Sequence, residues 1–238
     1  MAQISVPFGH LLLNKWSPLN RARIVFDLDG TLIDSAPDIQ GIANGLMAQE
    51  GHAPFSLAQA RDFIGNGVVV FVQKMRAARG IPDADHDRLL AEFVARYHSA
   101  TALTETYPGV VQALRALIAS GHALGLCTNK PRAATTSVLA HLSLDPFFTA
   151  VIGGDSLPVS KPDPAPLHAA FDALGSGTTI YVGDSDVDAE TALRAKVPFL
   201  LFTEGYRKVP VSELPHTHAF SHFDELPILV ETLLADSK

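Results

Sequence analysis

The strongest constraint on the fold is the stretch Ile24-Val25-Phe26-Asp27-Leu28-Asp29-Gly30-Thr31, where an apolar run stops at two carboxylates one residue apart. So short a run, with β-branched Ile24 and Val25, reads as a strand buried on both faces, the kind found inside a parallel sheet. If the extended chain continues through Leu28, a side-chain period of two puts Asp27 and Asp29 on one side at the strand's C-terminal end. Open parallel sheets bind ligands at that end. Gly30 lets the chain turn without steric cost and leaves its N–H open to a phosphate oxygen. A strand closed by an ordinary acidic turn would also show Asp-x-Asp-Gly, because Asp and Gly are common turn residues.

The rest of the chain separates into two patterns. Ser35 with Asp38 reads as a capping-box-like helix start, with Pro37 tolerated in the first turn. Ile39, Ile42, Ala43 and Leu46 then recur at helical spacing until Gly51. Ser56 with Gln59 opens a second helix, a third runs from Val68 to Arg79 before Gly80, and a fourth from about Asp85 to Ser99. No strand pattern interrupts residues 37–105. After Tyr107-Pro108-Gly109, short apolar runs at Ala123–Cys127, Ala150–Ile152, Thr179–Val182 and Phe199–Phe202 alternate with helices. These helices lie near Val110–Ser120, Pro131–Leu142, Pro166–Leu174, Asp188–Ala195 and Asp224–Leu234. Such alternation predicts an α/β fold with a doubly wound, Rossmann-like parallel sheet built from residues 21–36 and 106–238. The segment 37–105 is then a helical insertion after the first strand. Residues 1–20 carry Leu11-Leu12-Leu13 but only Lys15 as a nearby cation and no small-residue cleavage site, so they read as a loosely held leader rather than a signal peptide.

The formal net charge of −7 provides no basic footprint, which argues against nucleic acid as a partner. It leaves room for an anionic substrate, because metal and lysine can make one site electropositive. No apolar run approaches the ~18 residues that a membrane span needs. The single cysteine, Cys127, rules out an intramolecular disulfide and suits a reducing compartment, so the expected location is cytoplasmic.

Later strands also end in polar signatures. Thr128-Asn129-Lys130 follows Ala123–Cys127, and Gly183-Asp184-Ser185-Asp186, with Asp188 close behind, follows Thr179–Val182; Ser160-Lys161-Pro162-Asp163-Pro164 lies between them. In a parallel sheet these ends converge on one edge and collect Asp27, Asp29, Thr128, Asn129, Lys161, Asp184 and Asp188. Carboxylates without His or Cys select a hard cation, and Mg²⁺ takes a few of them together with waters and a phosphate oxygen. The set suits phosphoryl transfer, which asks chiefly for positioning and for charge on the phosphate oxygens to be neutralised. A carboxylate can attack phosphorus, and an acid two residues on can protonate the leaving alkoxide and then deprotonate a water. Taken singly, Lys161 and Thr128 also read as loop residues, and Asp184 and Asp188 as helix N-terminal acids favoured by the dipole.

Together these motifs resemble those of the haloacid dehalogenase superfamily, in its phosphoglycolate phosphatase-like branch, from Ile24 to about Leu234. Asp27 through Ser35 is similar to the first motif, Cys127-Thr128-Asn129-Lys130 to the second, Ser160-Lys161-Pro162 to the third and Gly183 through Asp188 to the fourth. The resemblance implies that Asp27 is the nucleophile and Asp29 the general acid/base. It implies Mg²⁺ held by the Asp27 carboxylate, the Asp29 main-chain carbonyl and the Asp184 carboxylate, with phosphate bound by Thr128, the Asn129 N–H, Lys161 and Gly30. Asp188 would orient Lys161 or a metal-bound water.

The helical insertion at 37–105 would be a cap over the site, gating turnover. Arg61, Asn66, Lys74 and the Gly65 and Gly67 backbone are its candidate substrate groups, although Arg61 and Lys74 also read as exposed helix charges. The resemblance to that branch in Phe63-Ile64-Gly65-Asn66-Gly67 and in Thr203-Glu204-Gly205-Tyr206 leans toward 2-phosphoglycolate. Sugar phosphates, nucleotides and pyrophosphate are the alternatives among small phosphorylated metabolites, as is a phosphomutase on the same scaffold. Dehalogenases lack the acid set completed here by Asp29 and Asp184, and a phosphonatase would need Lys74, the lysine of the cap, as a Schiff base. A phospho-acceptor signalling module would share Mg²⁺ and the aspartyl-phosphate, but Asp29 and the inserted cap argue against it. His216, His218 and His222 read as a solvated loop or edge strand, and Cys127 as a buried small hydrophobe. Monomer and homodimer both remain open.

Overall fold

A computed structural model of the protein describes residues 21–236, so the leader expected at 1–20 lies outside the described residues. Strand β1 (Ala22–Phe26) is followed by the short β2 (Ile33–Asp34) and by helices α1 (Ala36–Gln49), α2 (Leu57–Phe63), α3 (Gly67–Ala77) and α4 (His86–Tyr97). Then come β3 (Glu105–Thr106), α5 (Val110–Ala119), β4 (Ala123–Cys127), α6 (Arg132–His141), β5 (Ala150–Ile152) and α7 (Ala165–Ala173). The chain finishes with β6 (Thr178–Gly183), α8 (Asp186–Ala195), β7 (Phe199–Phe202), β8 (His218–Phe220) and α9 (Leu226–Asp236).

Six strands form one parallel sheet in the order β5-β4-β1-β6-β7-β8. The chain first builds outward from β1 to β4 and β5, then crosses to the other side of β1 with β6. That reversal leaves a crevice beyond the C-terminal ends of β1, β4 and β6. Side-chain alternation divides the core between the two faces. Ile24, Phe26, Leu126, Val182 and Phe202 pack with α5 and α9 on one face, while Val25, Tyr181 and Leu201 pack with α7 and α8 on the other. The doubly wound sheet is therefore the observed architecture. Helices α1, α3 and α4 bury Leu46, Phe71, Met75, Leu89 and Phe93 in an apolar cluster of their own.

Local signals hold unevenly. Ser56 and Gln59 form the expected reciprocal capping box at α2. Ser35 precedes α1 but does not cap it; its hydroxyl donates to Asp29 Oδ1 at 2.5 Å instead. Asp38 receives the Leu103 N–H at 2.9 Å and the Thr104 hydroxyl at 2.6 Å, fastening the two ends of the helical segment together. Helix α8 starts at Asp186 rather than Asp188, because Ser185 accepts the Asp188 N–H as its cap. The β2–β3 ribbon at the base of the helical segment and the edge strand β8 escape periodicity because they are two and three residues long. Among the described residues no helix is long and apolar enough to cross a membrane.

Phe223 is fully buried and stacks near Phe202 and Phe220 at ring-centroid distances of 5.0 and 5.4 Å. Truncating it leaves a cavity under α9. Phe223→Ala should lower unfolding stability in urea by about 3–5 kcal/mol.

Candidate active site

Asp27 follows β1 directly, and its N–H donates to the Val182 carbonyl of β6 at 2.9 Å, so the sheet itself holds this residue. Leu28 is turned into a tight loop, its carbonyl accepting the N–H groups of Thr31, Leu32 and Ile33. The strand does not extend through Leu28, yet Asp27 and Asp29 line the same cavity. Lys161 Nζ lies 2.9 Å from Asp27 Oδ1 and 2.7 Å from Asp188 Oδ1, and donates to the Tyr181 hydroxyl at 2.9 Å. Asp188 also receives the Tyr181 hydroxyl on Oδ1, and on Oδ2 the Ser185 hydroxyl and the N–H groups of Asp184 and Ser185. Burial opposes its charge, but Lys161 and these donors hold the Asp188 carboxyl below its usual range.

Asp184, at the end of β6, receives the Thr31 hydroxyl at 2.7 Å and the Tyr206 N–H at 2.6 Å. Gly30 makes this approach possible. Its φ is +90°, and a Cβ there would sit 2.5 Å from Asp184 Oδ2. Its N–H donates to the Ile33 carbonyl at 2.8 Å, so the expectation that this group binds phosphate is corrected: the turn consumes the donor.

Carboxylate oxygens of Asp27, Asp184 and Asp188 lie within 4.8 Å of one another. Burial pushes the Asp27 carboxyl up to about 7, with Lys161 opposing the rise and Asp188 adding to it. Burial, then Asp188 and Asp27, push the Asp184 carboxyl well above its ordinary value. Although Lys161 is close, Asp27 Oδ1 has no aligned hydrogen-bond donor. Buried carboxylates short of positive charge and offering only oxygen are what a hard cation requires. Asp27 and Asp184 have the capacity to hold one, whereas the oxygens of Asp188 are committed to Lys161, Tyr181 and Ser185.

Asp29 Oδ1 accepts the Ser35 hydroxyl and the Lys130 ammonium, the latter at 3.1 Å. Lys130 Nζ also donates to the Tyr97 hydroxyl at 2.8 Å. Burial would lower the Lys130 pKa, but Asp29 and Tyr97 outweigh it and keep the ammonium protonated. Thr128 Oγ1 accepts the Lys130 N–H, and among the described residues its own hydrogen has no acceptor. The Asn129 side chain is a clamp: Oδ1 takes the Lys161 N–H at 2.9 Å, and Nδ2 donates to the carbonyls of Lys161 and Gly65. Among the described residues the main-chain N–H groups of Leu28, Asp29 and Asn129 have no hydrogen-bond partner. They follow the ends of β1 and β4.

A cavity of about 40 Å³ stands over Asp27 and Asp29, walled by Ile39, Ile64, Gly65, Gly67, Val68, Phe71, Phe93 and Tyr97 from the helical segment and by Thr128 to Pro131 from the core. Arg61, Asn66 and Lys74 are not among its lining residues. Arg61 is paired with Asp34 at 2.8 Å, Asn66 precedes α3, and the half-buried Lys74 donates to the Asp62 carbonyl. Sequence reasoning missed Lys130 and Tyr97, together with Thr31 and Tyr206. Lys130 could have been found, since it closes the Thr128-Asn129-Lys130 string at a strand end. Tyr97 carries no such signal, being one more apolar-face residue of a helix.

The folded-state pKa of Asp27 exceeds its unfolded value of 3.8, so native protein binds more protons than unfolded chain between about pH 4 and 7, and this group's contribution to stability falls as pH rises through that window. In metal-free protein, Asp27→Asn should raise the Tm above wild type by a margin that widens from pH 4 to 7. A divalent cation should close that margin by raising the wild-type Tm alone; thermal unfolding in EDTA and in millimolar MgCl₂ measures both effects.

A family model described as haloacid dehalogenase-like hydrolase matches residues 24–202. A phosphoglycolate phosphatase of Cereibacter sphaeroides is 54% identical over 215 residues, covering 89% of this chain and 99% of that protein. One of Rhodobacter capsulatus is 41% identical over 210 residues, covering 87% and 96%. A crystal structure from Haemophilus somnus, described as a predicted phosphoglycolate phosphatase, superposes with a TM-score of 0.82 at 28% identity, covering 88% of this chain and 98% of the other. With its sheet, its strand-end acids and these relatives in agreement, the chain belongs to the haloacid dehalogenase-like hydrolases.

Proposed function

We propose that the protein is a Mg²⁺-dependent phosphatase that hydrolyses 2-phosphoglycolate to glycolate and phosphate through an aspartyl-phosphate on Asp27. One observation carries the chemistry: a buried, under-compensated Asp27 carboxylate faces a small cavity, with Lys161 and Asp184 beside it and Asp29 lining the same cavity. Relatives at 54% and 41% identity named phosphoglycolate phosphatase support the substrate. The cavity, about 40 Å³, has room for on the order of three waters, so even 2-phosphoglycolate enters only if the helical segment moves.

Asp27 attacks phosphorus, forming a P–O bond as the ester P–O bond breaks, and the leaving alkoxide takes a proton from Asp29. Asp29, now a carboxylate, takes a proton from the water that attacks the phosphoenzyme; the Asp27–phosphorus bond breaks and phosphate leaves. Ser35 and Lys130 fix the Asp29 side chain for both transfers. The Thr128 hydroxyl, Lys161 and the free N–H groups of Leu28, Asp29 and Asn129 receive the phosphate oxygens. Asp27, the Asp29 carbonyl and Asp184 would hold Mg²⁺, which when bound neutralises charge on the transferring phosphoryl group. Asp188 positions Lys161. Residues 37–105 act as a cap on a core made of 21–36 and 106–238, and exclude water from the site. The cytoplasm is the proposed location, since the lone cysteine suits a reducing compartment.

Phosphate release from 2-phosphoglycolate, a sugar phosphate and a nucleotide, each with Mg²⁺, tests this reading. The first should be the best substrate, and Asp27→Asn should lower its kcat by about 10³-fold or more. Turnover that survives both EDTA and Asp29→Asn would refute the mechanism.

A further inference from the structure

We propose that Lys130, held by Tyr97, recognises the carboxylate of the leaving group and makes the enzyme selective for phosphomonoesters of 2-hydroxy acids. This deepens the phosphatase reading and rests on it. The Lys130 side chain is only 4% exposed, and among the described residues it is the one cation lining the cavity. Around it the helical segment supplies the apolar side chains of Ile39, Ile64, Phe71 and Phe93 and, at the start of α3, the main chain of Gly67 and Val68, but no charged side chain among the described residues. The cations of the neighbouring helices, Arg61, Lys74, Arg76, Arg88 and Arg96, are engaged elsewhere.

Distance fits a class of substrate. Lys130 Nζ is 3.1 Å from Asp29 Oδ1, the acid that must reach the ester oxygen. A cation so near the leaving oxygen can meet a carboxylate borne on the adjacent carbon, as in a 2-hydroxy acid. An ammonium has three donors. Asp29 and the Tyr97 hydroxyl take two, which leaves one for the substrate. The Tyr97 ring, with its centroid 4.3 Å from Nζ, lies at the end of a run of ring contacts through Phe63, Phe71 and Phe93. The helical segment therefore sets where the ammonium points, although Lys130 itself belongs to the core.

A competing role is that Lys130 merely steadies Asp29. The two separate in substrate preference, since steadying Asp29 serves every ester equally. The test compares kcat/KM for 2-phosphoglycolate and for 2-hydroxyethyl phosphate, its neutral analogue of the same length, in wild type, Lys130→Met, Lys130→Arg and Tyr97→Phe. Wild type should prefer the carboxylate ester by about 10²-fold. Lys130→Met should abolish that preference, chiefly through KM, Lys130→Arg should restore part of it, and Tyr97→Phe should weaken it. Equal losses on both esters in Lys130→Met, or no preference in wild type, would overturn the proposal. If Lys130→Met does not fold, as circular dichroism would report, the wild-type ratio and Tyr97→Phe decide. Release of phosphate from neither ester by wild type would overturn the phosphatase reading as well, a result distinct from a lost preference.

Discussion

One buried ammonium binds the structure to its chemistry. Lys161 sits between Asp27 and Asp188 with its side chain only 2% exposed, and neither acid could be withdrawn from water so completely without it. The arrangement draws in distant parts of the chain. The Lys161 backbone is gripped by Asn129 from the end of β4, Asp188 is supplied by α8, and Tyr181 reaches up from within β6. Removing Asp188 would leave a buried charge without its nearest partner, and removing Asn129 or Tyr181 would leave buried polar groups unpaired, which is why the site and the centre of the sheet form a single unit.

Compensation is nonetheless uneven. Asp188 is saturated with donors and stays ionised, whereas Asp27 and Asp184 are left with raised pKa values in a region too dry for free carboxylates. Lys161 lies nearer Asp188 than Asp27. The negative charge that Asp27 and Asp184 would carry when ionised suits a divalent cation, and a bound cation would make the site hospitable to phosphate. A second ammonium, Lys130, is paired with Asp29 and borders the same cavity.

The helical segment joins this network by three kinds of contact. Gly65 accepts from Asn129, Ile64 accepts from Lys208, and Arg61 pairs with Asp34, which also accepts the Tyr206 hydroxyl. Tyr206 belongs at the same time to the site, through the bond from its N–H to Asp184. Movement of the helices and the geometry of the acids are therefore mechanically linked. An apolar wall over charged groups strengthens every electrostatic interaction beneath it by excluding water.

What could be read in the sequence was the part written in contiguous residues. Strand runs such as Ile24–Phe26 and Ala123–Cys127 declare themselves by burial on both faces, and the polar strings that follow them must gather at one edge because parallel strands share a direction. Asp27, Asp29, Thr128, Asn129, Lys161, Asp184 and Asp188 were legible for that reason. Contacts between side chains far apart in sequence were not. That the Gly30 N–H is consumed by Ile33, that Ser35 serves Asp29 instead of capping a helix, and that Arg61 turns to Asp34 rather than to the cavity all depend on which partner lies nearest in space. The sequence by itself determined the sheet, the inserted helices and the acids at the strand ends, since each follows from local periodicity. Only the tertiary structure decided which acids are left short of charge and which lysine faces the cavity, because desolvation and hydrogen-bond geometry depend on what surrounds a group in three dimensions.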